Sequence, residues 1–128
     1  MPINKLYGGG VALMGRALDL RYDRQGLIQS NIANIDTPGY KVKDFSFANV
    51  MDRVMTNRGE LARTHPKHLS VDPVETSIRG EFTSEERPVD LDEEMLKLSE
   101  NQLMYEVTTR ILSKKFEGLK LAIDEGGQ

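Results

Sequence analysis

The chain has 128 residues, a length for one domain, and 17 Lys+Arg against 20 Asp+Glu give a net charge of −3. That balance argues against a nucleic-acid binder, which carries a basic excess, and the absence of cysteine excludes disulfides, thiolate metal sites and cysteine nucleophiles. With 38% hydrophobic, 29% charged and 6% aromatic residues and no Trp, the composition suits a long helical surface better than a dense aromatic core. No run approaches the roughly 18 apolar residues of a membrane span, so no membrane insertion is expected. Val11-Ala12-Leu13-Met14 is too short for the apolar stretch of a secretory signal.

Pro2 and Gly8-Gly9-Gly10 predict a mobile start over residues 1–10, because successive glycines lose much backbone entropy in a helix. The pattern changes at Val11. Leu13, Ala17, Leu20, Arg24, Leu27, Asn31 and Asn34 step by four and three, and Met14, Leu18, Ile28, Ile32 and Ile35 widen that stripe. This predicts a helix over 11–35, about 25 residues and about 37 Å long. Pro38 ends it, and Thr37-Pro38-Gly39-Tyr40 reads as a type II turn.

Residues 36–88 form an irregular middle. Ser46 caps a short helix carrying Phe47, Val50, Met51 and Val54. After Gly59 no periodicity persists, Pro66, Pro73, Gly80 and Pro88 punctuate the chain, and short extended pieces are expected at 68–71 and 77–82.

The C-terminal helix is expected over 89–123, followed by a tail at 124–128. Its seam reads Leu91, Met95, Leu98, Gln102, Tyr105, Thr109, Leu112, Phe116, Leu119 and Ile123, and Leu96, Leu103, Met104, Val107 and Ile111 broaden it. Asp90 or Asp92 caps its start, and Asp92-Glu93-Glu94 suits the positive end of the helix dipole. The fold class is mainly α, with long N- and C-terminal helices packing as a coiled-coil-like pair in a single domain.

Catalytic chemistry finds little footing. His65 and His68 with Asp72 and Glu75 are the one ligand-like cluster, and Pro66 opposes the helix that would aim both imidazoles at one metal. Glu85-Glu86 and Asp92-Glu93-Glu94 are explained more cheaply as solvated carboxylates than as an acid–base pair. No catalytic, cofactor-binding or metal-ligating residue is assigned, and no enzyme activity is expected.

Asn31 and Asn34 are more informative. Asn34 suits a left-handed helix C-cap, and Asn31 at a seam position suits a buried amide that fixes register. Tyr40-Lys41 after the turn, with Phe45 and Phe47, makes either a loop folded back on the helix or a contact surface for a further subunit.

The block Asn31-Ile-Ala-Asn34-Ile-Asp-Thr37-Pro38-Gly39-Tyr40-Lys41 resembles the N-terminal signature of the bacterial flagellar axial proteins of rod, hook and hook junction. Ala17–Arg21, Lys43–Phe47, Thr64–Leu69, Val89–Met95, Glu100–Tyr105 and Ser113–Phe116 narrow the resemblance to the short proximal-rod proteins of that family. Arg87-Pro88 stands where the family has a Gly-Asn-like turn. The resemblance implies a structural subunit of the basal-body rod in the periplasm, exported without a cleaved signal through the flagellar type III apparatus. It implies helical assembly through the terminal helices into a torque-transmitting drive shaft, with no cofactor. The implied partners are its own copies, rod proteins such as FlgC, and the FliE adaptor at the membrane ring. Heptads and charge alone also fit a soluble coiled-coil adaptor that binds one partner and never polymerises, although that leaves the Asn31–Lys41 block unexplained.

Overall fold

Two long helices set the architecture, and the elements between them fold onto one end of the pair. The computed structural model describes residues 9–56, 83–85 and 87–127. In chain order they form α1 (Gly9–Ala33), β1 (Val42–Asp44), α2 (Phe47–Thr56), β2 (Thr83–Glu85) and α3 (Leu91–Gly126). The chain is mainly helical, as its periodicity predicts. The extended pieces expected at 68–71 and 77–82 and the His65/His68 cluster lie outside the described residues.

Helices α1 and α3 run antiparallel. Gly10 lies beside the Lys115 ammonium, the Arg21 carbonyl accepts from Asn101, and Asn31 meets Glu94. Helix α1 begins two residues before Val11, so Gly9 and Gly10 form its first turn rather than a mobile lead-in. First-turn N–H groups lack intrahelical partners in any case, and each glycine costs only about 1 kcal/mol there relative to alanine. At the start of α3, Asp90 is the N-cap and accepts from the N–H groups of Asp92 and Glu93 at 3.0 and 3.3 Å. Acidic residues fill the following turn, where the helix dipole favours them. At 36 residues α3 is about 54 Å long.

The buried apolar cluster does not lie between the two long helices. Leu20 of α1, Phe45, and Val50 and Val54 of α2 form it, with Leu27, Phe47 and Met51 packed around them. Ser46 starts α2 as expected, its Oγ accepting from the Asn49 N–H at 3.4 Å. The four-residue step from Val50 to Val54 then turns one face of α2 onto α1. Strands β1 and β2 pair antiparallel, Val42 opposite Glu85, Lys43 opposite Ser84 and Asp44 opposite Thr83.

Candidate functional site

Asn31 is fully buried, and its carboxamide is saturated. Nδ2 donates to the Lys43 carbonyl at 2.8 Å and to Glu94 Oε2 at 3.1 Å. Oδ1 accepts from the Lys43 N–H at 3.1 Å and from the Tyr40 hydroxyl at 3.0 Å. An amide has two donors and about two acceptor positions, so nothing is left over. A residue's N–H and C=O point to the same side of a strand. Lys43 therefore gives its main chain to Asn31, and Val42 and Asp44 face β2. The Asn31 side chain stands in for a neighbouring strand, joining α1, β1 and α3 through one group.

The motif residues after Asn31 build the approach to that strand. Asn34 does not adopt the left-handed cap conformation expected of it: among the described residues no non-glycine φ is positive. Its Nδ2 instead donates back to the Ser30 carbonyl at 2.8 Å, and its Oδ1 accepts from Thr37 Oγ1 at 3.1 Å. Those side-chain bonds close the helix end without a left-handed residue. The turn forms as the sequence requires, with Gly39 at φ 73° and the Tyr40 N–H bonded to the Thr37 carbonyl at 3.2 Å. Pro38 and Lys41 are exposed, and Tyr40 is turned inward to Asn31. An open cleft of about 510 Å³ separates this turn from Arg87, Pro88 and Val89.

Beside Asn31 lies a charged cluster that joins the same three elements. Arg24 of α1 forks onto Asp44 of β1 at 3.1 and 3.2 Å. Lys97 of α3 reaches Asp44 at 3.5 Å, Glu93 at 2.8 Å and Glu94 at 3.4 Å. Arg87 forks onto Glu93 at 3.1 and 3.2 Å. Burial works against the Asp44 carboxylate, but Arg24, the Phe45 N–H and Lys97 outweigh it and hold its pKa below the usual range. Burial likewise disfavours the Lys97 ammonium, yet Glu93, Glu94 and Asp44 together hold its pKa above the usual range. Lys97, then Arg87, lowers that of Glu93. Arg21, buried with its guanidinium 3.8 Å above the Phe47 ring, is lowered by burial and then by Arg24.

The seam read along α3 is split in the single chain. Of its residues Leu98, Leu112 and Leu119 are half-buried, and with Glu94, Asn101 and Thr108, which the seam did not include, they step by threes, fours and sevens along the side turned to α1. Glu94 and Asn101 are each only 1% exposed. Leu91, Met95, Gln102, Tyr105, Phe116 and Ile123 all lie at least partly in solvent. The helix pair is therefore closed by a mixed polar and apolar line, and much of the apolar surface of α3 is unused. Sequence periodicity missed Glu94, Lys97, Asp44 and Asn101. The available signal was Arg24 and Asn31 on an otherwise apolar stripe, which require polar partners once buried. Among the described residues no group of three or more His, Cys, Asp or Glu side chains is placed to hold a metal, and no helix is long and apolar enough to cross a membrane.

Residues 16–41, which contain this motif, match the family model of flagella basal body rod proteins. The whole chain is similar to the flagellar basal body rod protein FlgB of Bacillus subtilis, 32% identical over 94% of this chain and 98% of the relative. It is similar also to FlgB of Escherichia coli, 29% identical over 86% and 89% of the two chains. For FlgB of Yersinia enterocolitica the identity is 27% over 92% and 96%.

Proposed function

The chain belongs to the FlgB family of flagellar basal body rod proteins, and on that premise we propose that it self-assembles helically through α1 and α3 as a subunit of the proximal rod. The observation that carries this reading is the unused apolar surface of α3. Among the described residues, fourteen large hydrophobic side chains are exposed and eleven of them lie on this one helix. A surface of that kind marks a contact with other molecules.

In this reading neighbouring subunits cover Leu91, Met95, Gln102, Tyr105, Phe116 and Ile123, while Leu98, Leu112 and Leu119 stay between α1 and α3. The Asn31–Lys41 block holds the end of the helix pair at a fixed angle to the rest of the subunit. Contacts between different faces do not close into a ring, so they propagate a tube, and long helices supply stiffness for carrying torque. Other rod proteins such as FlgC, the FliE adaptor and the flagellar type III export apparatus are the proposed partners, and the periplasm the proposed location. The role is structural rather than enzymatic.

Motility of a strain whose own copy is replaced by a variant tests this. Leu112→Asp should abolish it, and so should Phe116→Asp, whose side chain is 42% exposed in the single chain, so that the variant is expected to fold. A folded Phe116→Asp protein that supports normal swimming would overturn the proposal.

A further inference from the structure

The exposed apolar surface of α3 has a definite direction. Leu96, Leu103, Lys114 and Leu121 each follow an α1-facing position by two residues, which places them about 200° around the helix, and Val107 stands one turn from Leu103 on the same side. They line the side away from α1, joined by Arg110 and Ile111. At the middle of this face, exposed Arg110 and Lys114 stand one turn apart with Val107 and Ile111 beside them. Arg110 holds Glu106 at 2.6 Å, a pair exposed enough to be exchanged at little cost.

Helix α1 presents a matching face to solvent. Asp19 and Asp23 are exposed one turn apart, with Tyr22, 72% exposed, between them. Gly26 follows on the same side, and a side-chain carbon added there would meet nothing within 4 Å, so another helix can approach the backbone closely. One face thus carries two acids around an aromatic ring, the other two bases beside branched apolar side chains with Glu106 and Glu117 at their flank, and the two acids and the two bases are each set at a four-residue step.

We propose that the outward face of α3, centred on Val107, Arg110, Ile111 and Lys114, docks on the outward face of α1 of a second copy, centred on Asp19, Tyr22, Asp23 and Gly26. This rests on the assembly reading above and specifies its contact. The two faces differ, so each subunit offers one of each and the contact repeats without closing on itself.

Charge exchange tests it on the full-length chain. The double variants Asp19→Lys/Asp23→Lys and Arg110→Glu/Lys114→Glu, each checked for native helix content by circular dichroism, are compared with the parent by sedimentation across concentration. Each alone should associate about tenfold more weakly, an equal mixture should recover association, and added salt should weaken the parent. Parent-like association of either variant, or a mixture that does not recover, would overturn the docking mode and leave the rod reading standing. A parent chain that does not associate at any concentration would count against both.

Discussion

The Asn31 carboxamide and the Lys43 main chain exchange two hydrogen bonds, Nδ2 to carbonyl at 2.8 Å and N–H to Oδ1 at 3.1 Å, as two strands would. With Glu94 and Tyr40 completing its valences, this side chain fixes where β1 and α3 meet α1. Asn31→Asp keeps the shape, removes both donors and sets a second carboxylate against Glu94. We expect a loss of about 3 kcal/mol in urea unfolding, against about 1 kcal/mol for Tyr40→Phe, which removes one of two donors to Oδ1. Equal effects from the two variants would contradict the central place given to Asn31.

Two glycines should respond oppositely to alanine. Gly39 has φ 73°, and an added side-chain carbon meets nothing there, so Gly39→Ala should cost about 1–2 kcal/mol through backbone conformation alone. Gly26 lies within α1 with open space around it, so Gly26→Ala should raise the stability of the single chain by about 0.5–1 kcal/mol. Thermal melts of both variants check the signs.

The charged cluster predicts a stability plateau with two limbs. Asp44 and Glu93 have folded pKa values below their ordinary 3.8 and 4.5, so their contribution is complete above those values and is lost as pH falls through the depressed ones. Lys97 lies above its ordinary 10.5, so its contribution holds below that pH and is lost as pH rises through the raised value. The melting temperature should therefore fall in both acid and alkali. Asp44→Asn should lower the plateau, because Arg24 and Lys97 lose their shared carboxylate, and flatten the acid limb. An unchanged pH profile in that variant would show that Asp44 does not hold the cluster.

What the sequence made legible was local. Ser46, Asp90 and the Thr37–Tyr40 turn act on residues two to four positions away, and each forms as the residue types require. The face of α3 that meets α1 was not legible, because Leu, Met, Val and Ile occur all round that helix and periodicity alone cannot rank its sides. Burial of Glu94 and Asn101 decides it, through partners 63 and 80 residues away. The left-handed cap expected at Asn34 failed for a related reason: its amide finds Ser30 and Thr37, so the helix end needs no special φ.

Light scattering across concentration, with circular dichroism on the same samples, is the measurement that bears most directly on whether this chain is a polymerising subunit. We expect mass to climb with concentration without settling at a small number, and helix content to rise with it. A compact, fully helical species of one fixed small stoichiometry at every concentration would contradict that and favour a one-partner adaptor.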